Sequence, residues 1–275
     1  MLLVALLLGA LAGPALQPAS DWETLEPGME LRWLTARQRS PVGDSRITVV
    51  RIDPANWELR LVSRSQAGDA AGQPARQFAE RHHFVAAINA GMFGQDYTTH
   101  VGYMESRGQV HSSAVNTYQS VAAFDPHAQA AVPPFRIFDL DEPGITVQSI
   151  RRDYASLVQN LRLIKKPGQN RWSEQEKKWS EAALGEDRNG RILLVFCRSP
   201  FSMHDLNREL LAANIGLVAL QHLEGGPEAQ LYLDAGDMEL ELVGSQGTSF
   251  GDDSGKTAAW PIPNVLGVRR KPAAK

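Results

Sequence analysis

Apolar and polar residues alternate along Trp57-Glu58-Leu59-Arg60-Leu61-Val62, as in a strand with one buried face. Leu31-Arg32-Trp33-Leu34 and residues 47–52 also read as strands, and Asp53-Pro54-Ala55-Asn56 supplies turn chemistry between two of them. Residues 74–82 predict a short helix with proline in its first turn. Residues 84–88 predict a short buried strand running into Asn89-Ala90-Gly91. Strands are expected at 121–124 and 135–138, a helix at 150–158, and a strand at 161–164. Residues 165–178 are polar around Pro167-Gly168 and predict an exposed excursion, with 173–178 as a solvated surface helix. Residues 192–196 are continuously apolar, as in a strand covered on both faces. Ser202 opens a helix whose apolar face is Leu206, Leu210 and Leu211, with Gly216 as the stop. Strands follow at 217–223, 229–233 and 238–243. With no fixed-period repeat and no long Gly/Ser linker, the pattern predicts a single α+β domain. Its core is expected to be a mixed, strongly twisted β-sheet with packed helices.

The chain start changes the picture of where the protein works. Residues 2–12 form an apolar run the length of a signal-peptide h-region, too short to span a bilayer, and Gly13 and Ala15 are spaced like a cleavage site. No Lys or Arg precedes the run. Residues 1–20 are therefore expected to be a signal peptide on an exported protein (periplasmic, cell-envelope or secreted), and no cysteine is placed for a lipid anchor. No later stretch reaches 18 apolar residues, so no membrane span is expected in the mature chain. Residues 21–83 would form a strand-rich N-terminal part of the domain and 84–270 its core.

Composition adds limits. Of 275 residues, 28 are Lys or Arg and 31 Asp or Glu, and 43% are hydrophobic, which fits a folded globular chain and offers no basic excess for nucleic acid. Cys197 is the only cysteine, so an intramolecular disulfide and a multi-thiolate zinc site are both excluded. It follows the apolar run 192–196 and reads as a buried, inert thiol. The sequence leaves the oligomeric state open.

Several motifs imitate chemistry. Gly247-Thr248-Ser249-Phe250-Gly251 has the spacing of a serine-hydrolase elbow, but no helix signal and no histidine follow it. Gly251-Asp252-Asp253-Ser254-Gly255-Lys256-Thr257 is one residue short of a phosphate-binding loop and reads as a polar turn. His82-His83 are adjacent and cannot share a helix face, so they read as helix-end solvation. His100, His111 and Asp96 are joined by no metal-ligand spacing. No cofactor is expected, and a divalent metal is left open.

Two glycine-containing turns carry the functional argument. Ala87-Ile88-Asn89-Ala90-Gly91-Met92-Phe93 ends a buried strand in an amide and a bare backbone. Leu220-Gln221-His222-Leu223-Glu224-Gly225-Gly226-Pro227 ends another in a carboxylate and two glycines, which permit close backbone approach to a ligand. His222 and Glu224, two apart on a strand, would share a face.

Taken in order, Asn89-Ala90-Gly91-Met92-Phe93, Ala183-Leu184-Gly185, Leu223-Glu224-Gly225-Gly226 and Ile262-Pro263-Asn264-Val265-Leu266-Gly267-Val268 resemble the motifs of the phosphodiester glycosidase family. Two positions depart from its pattern: Glu224 stands for the motif aspartate, and Glu181 stands where the family usually has an arginine. The resemblance implies an exported hydrolase acting on a sugar 1-phosphodiester. Glu224 would be the essential carboxylate, Glu181 its nominated carboxylate partner and His222 a proton carrier. Asn89, Gly91, Gly225 and Gly226 would hold hydroxyl or phosphate oxygens, with Arg198, Arg162 or Lys165 offering positive charge. The substrate class implied is a glycan or sugar phosphate. A competing reading is a non-catalytic glycan-binding or cell-envelope module on the same fold.

Overall fold

The apolar patterns resolve into three antiparallel sheets that share one core. The computed structural model describes residues 21–67, 72–245 and 258–272. Residues 1–20, where a signal peptide is expected, and both glycine-rich look-alike motifs of residues 247–257 lie outside the described residues. In chain order the elements are β1 (Glu23–Glu26), β2 (Met29–Thr35), β3 (Arg46–Ile52), β4 (Trp57–Ser63), α1 (Arg64–Ala67), α2 (Ala75–His82), β5 (Ala86–Asn89), β6 (Met104–Ser106), β7 (Gln109–Ser112), β8 (Ser120–Pro126) and β9 (Phe135–Asp139). Then come α3 (Val147–Arg151), β10 (Tyr154–Asn160), β11 (Arg162–Lys165), β12 (Gln169–Asn170), β13 (Trp179–Asp187), β14 (Ile192–Phe201), α4 (Met203–Ala212), β15 (Leu217–Gly225), β16 (Gln230–Ala235), β17 (Met238–Val243) and β18 (Asn264–Arg270).

The large sheet has the order β1-β2-β3-β14-β13-β15-β11-β12; the two five-stranded sheets have the orders β7-β6-β10-β8-β9 and β17-β16-β5-β18-β4. Their inner faces meet around Leu31, Val50, Leu194 and Phe196 from the large sheet, Phe124, Ile137 and Val158 from the second, and Leu59, Ile88, Leu231 and Leu266 from the third. Helices cover outer faces. Leu206 and Leu210 of α4 pack on Leu193, Val195 and Cys197. Phe78 of α2 packs with Ala87 and Val265, and Ile150 of α3 with Val121 and Leu157. Both faces of β14 are thus buried, as its continuous apolar run requires.

The expectation of an α+β fold with packed helices overstated the helices: strand makes up 48% and helix 12%. The mixed sheet is also corrected, because the strand pairs of all three sheets are antiparallel among the described residues. The helix expected at 150–158 is instead the end of α3, a turn and β10, whose run from Ser156 to Asn160 is buried residue after residue. Apolar content there comes from two-sided burial rather than a helical stripe. Residues 173–178 form no helix. Ala183-Leu184-Gly185 lies inside the strand β13 and is followed by β14. His82 is half-buried with its ring stacked between Phe78 and Phe84, not merely solvating a helix end. Ser202 does cap α4, its Oγ accepting from the Asp205 N–H at 3.1 Å. No helix among the described residues is long and apolar enough to cross a membrane.

Candidate active site

Strands β13 and β15 run side by side through the middle of the large sheet. Their register pairs Glu181 with Gly225, Ala182 with Glu224 and Ala183 with His222. One step on β13 thus faces two steps on β15, a bulge centred on Leu223 that re-aims the side chains around it. The simple two-residue alternation expected for His222 and Glu224 is interrupted there, yet the two carboxyls and the imidazole still gather in one place.

Glu181 is buried and both of its oxygens are engaged. Oε1 lies 2.5 Å from His222 Nδ1, and Oε2 accepts from the Trp179 indole N–H at 3.0 Å. Burial raises the Glu181 carboxyl above the ordinary carboxylate range, against the pull of His222 and the Trp179 bond. Burial would discharge the His222 imidazole, but the Glu181 charge and hydrogen bond, helped by Glu224, outweigh it and hold histidine above its usual value. Glu224 is half-buried, and burial pushes its carboxyl up to about 7 against the opposing pull of His222 and the Gly225 N–H, which donates to Oε1 at 3.1 Å. A carboxyl poised there exists in both forms near neutrality, as general acid–base chemistry requires.

The two glycine turns converge on this region. Asn89, at the end of β5, donates through Nδ2 to the Glu228 carbonyl at 2.9 Å and accepts from the Gln230 N–H at 2.7 Å, clasping the chain that follows Glu224. Gly91 is crowded by Asn160 and His100: a Cβ there would stand 2.4 Å from Asn160 Oδ1 and 2.5 Å from His100 Cε1. Asn160 Nδ2 donates to the Ala90 carbonyl at 3.0 Å, while its buried Oδ1 has no partner. The next residue, Leu161, accepts the His222 N–H at 2.9 Å. Gly226 has a φ of +68°, which opens a 3-10 turn at Gly226–Glu228, and its carbonyl packs against Gly244.

The nominated cations fare differently. Arg162 pairs with Asp139 and Asp141, and Lys165 with Asp141 and Glu142, so neither points its charge at Glu224. Arg198 lies on β14 and lines a cavity of about 210 Å³ with Arg46, Asp44, Ser199 and Glu241; that lining does not include Glu181, His222 or Glu224. Arg198 is joined to β13 through its carbonyl, which accepts from Ser180 Oγ at 2.5 Å. Cys197 is buried with its thiol pushed up by burial, an inert group. His100 sits against the Gln159 carbonyl and burial lowers it to about 4, His111 meets Ser63, and Asp96 binds its own loop at Thr98 and Thr99. Among the described residues, no group of three or more His, Cys, Asp and Glu is arranged to hold a metal ion.

Sequence reasoning missed Trp179, Asn160, Gln230 and Gly244. Trp179 stands two residues before Glu181, a spacing that puts both on one strand face once β13 is recognised as a strand. The other three carry no local signal.

A model of the phosphodiester glycosidase family matches residues 82–269. Among solved structures, the fold is similar to the zebrafish N-acetylglucosamine-1-phosphodiester alpha-N-acetylglucosaminidase catalytic domain auto-inhibited by its pro-peptide, with a TM-score of 0.64, 14% identity, and coverage of 93% of this chain and 87% of that one. It is also similar to a hypothetical protein from Synechocystis, with a TM-score of 0.62, 15% identity, and coverage of 92% and 64%. A third, described as a candidate exported protein from Burkholderia pseudomallei K96243, gives a TM-score of 0.51, 12% identity, and coverage of 81% and 73%. No curated protein sequence matches the chain.

Proposed function

The chain belongs to the phosphodiester glycosidase family, and on that premise we propose that it is an exported hydrolase that cleaves a sugar 1-phosphodiester. The observation that carries this reading is the gathering of Glu224, His222 and Glu181 beside two glycine turns. Water adds its oxygen to the anomeric carbon, the bond from that carbon to the phosphate oxygen breaks, and the electron pair leaves with a phosphate monoester. Glu224, poised near 7, takes the proton from the attacking water. Glu181 has both oxygens on donors within the protein, so it supports the site rather than serving as the second carboxylate of a glycosidase pair. The half-buried backbone of Gly225 and Gly226 holds substrate oxygens, and Asn89 contributes by fixing the turn that carries them. Export rests on the leader-like residues 1–20.

The test is turnover of a panel of sugar 1-phosphodiesters by the purified protein beside Glu224→Ala. Hydrolysis lost in the variant supports the reading, and no hydrolysis of any member by the wild type overturns it. One observation favours the alternative, a glycan-binding or cell-envelope module: position 181, usually arginine in the family, holds a buried carboxylate that repels phosphate. Glycan binding without turnover would decide for that module.

A further inference from the structure

We propose that Glu181 is a positioning residue that acts through His222, clamping the imidazole by Nδ1 as a cation so that its charge sets the protonation of Glu224. The proposal rests on the reading of Glu224 as the reacting carboxyl and names the device that tunes it.

The geometry comes first. With Glu181 ionised against its burial, Oε1 can only accept, and Nδ1 at 2.5 Å is then the donor. The second oxygen is taken by Trp179, which fixes the carboxylate in its plane and leaves it no freedom to turn toward Glu224. Trp179 is itself wedged over Gly225, the residue that follows Glu224 and pairs with Glu181. The main chain of His222 is pinned as well, its N–H donating to Leu161. Such a clamp leaves the ring one orientation. A buried carboxylate partner stabilises the imidazolium, and the imidazolium in turn favours the ionised form of a neighbouring carboxyl.

The charged groups facing each member are few. Glu181 faces His222 and, across from β14, the neutral buried thiol of Cys197. His222 faces Glu181 and Glu224. Glu224 faces His222, Glu228 and Glu181, and His222 is the largest of these three influences on it. The sign follows. Glu181→Gln withdraws the counter-charge, so burial discharges His222, and Glu224 loses the cation that opposed its own burial. Loss of the Glu181 charge itself acts the other way, but more weakly, so the Glu224 midpoint rises.

The experiment follows the carboxyl and imidazole resonances of isotopically labelled full-chain protein through a pH titration, with no substrate present. In the wild type, the His222 midpoint is expected above 6.5; a midpoint at or below that value overturns the proposal. In Glu181→Gln and in His222→Gln, the Glu224 midpoint is expected to rise by about one pH unit. In the double variant it is expected to rise no further than in His222→Gln alone. A Glu224 midpoint unmoved in folded His222→Gln overturns the proposal even where Glu181→Gln fails to fold. Because the titration needs no turnover, an inactive protein with the expected shifts would refute the hydrolase reading and leave the relay standing. In an active protein, the limb of the pH–rate profile set by Glu224 moves by the same amount in Glu181→Gln, whereas a purely structural role for Glu181 lowers the rate without moving it.

Discussion

The indole of Trp179 fills the space that a Cβ on Gly225 would need: that atom would stand 2.6 Å from Cδ1 and 2.9 Å from Nε1 of the ring. The backbone at Gly225 is extended, with φ of −127°, so the glycine is required by this approach and not by its dihedral angles. The same Nε1 donates to Glu181, so a residue that displaces the ring also loosens the carboxylate that holds His222.

Gly225→Ala is therefore expected to cost about 1–3 kcal/mol of stability through overpacking. In a Trp179→Ala background the same substitution should cost much less, since the colliding ring is gone. Thermal or urea melts of the four proteins measure the coupling; equal costs in both backgrounds would show that the ring is not the obstacle.

Glu224→Gln should have a pH-dependent effect on stability. The carboxyl moves from an ordinary value of 4.5 to about 7 in the folded protein. A group raised on folding contributes stability that is fully present below its unfolded value and is lost as pH rises through the folded one. Wild type and variant should thus melt alike at pH 4, and the variant should be more stable at pH 8. The gain is about 1–3 kcal/mol, taking about 1.4 kcal/mol per pH unit and allowing for solvent screening of a half-buried group. Melts at the two pH values check it, and the opposite ordering at pH 8 would refute the shift.

The strands with clean alternation, such as β4, were legible because their polar residues face out. β13 was not, although it lies at the centre of the large sheet. Its sequence, Trp179-Ser180-Glu181-Ala182-Ala183-Leu184-Gly185-Glu186-Asp187, is poor in β-branched residues and places three carboxylates at buried positions. Each carboxylate is satisfied by a partner distant in sequence or by a local turn: Glu181 by His222, Glu186 by Lys166 at 2.6 Å and the Ile137 N–H at 2.7 Å, and Asp187 by Arg191 at 2.7 Å. A local pattern cannot anticipate those partners. The same limit governs the site. The two glycine turns were visible because glycines beside polar residues are conspicuous, and His222 was nominated from a strand spacing that the bulge at Leu223 interrupts. Glu181 entered through family resemblance alone, because its meaning depends on a residue 41 positions away.

Asn89 offers a test of structural against substrate-binding roles. Its amide satisfies the Glu228 carbonyl and the Gln230 N–H at once. Asn89→Ala leaves both groups without that partner and should cost about 1–3 kcal/mol. Asn89→Asp keeps an acceptor for Gln230 but sets an oxygen against the Glu228 carbonyl, so it should also destabilise. Melts report both effects. A wild-type melting temperature in Asn89→Asp would contradict the clasp.

Gly267 tests why a glycine stands in the middle of β18. A Cβ there would lie 2.1 Å from Cδ2 and 2.2 Å from Cε2 of Phe84, so the aromatic ring rests directly on the strand backbone. Phe84 is buried, its ring stacks on His82 at 5.6 Å, and its N–H donates to the Ala79 carbonyl at 2.9 Å. The ring therefore has no open side into which it can retreat without unpacking the end of α2. Glycine inside a strand commonly marks such a close approach, and its ordinary cost in a strand is offset here by the aromatic contact. Gly267→Ala should lose about 3 kcal/mol or more, at the upper end for overpacking. Phe84→Leu alone should lose about 1 kcal/mol from reduced burial, since Leu keeps much of the apolar surface. Combined with Phe84→Leu, Gly267→Ala should cost less than it does alone, because the branched side chain can turn away where the planar ring cannot. Urea denaturation of the two single variants and the double variant measures this coupling; strict additivity would mean that the strain of Gly267→Ala arises in the β18 ladder itself and not at Phe84.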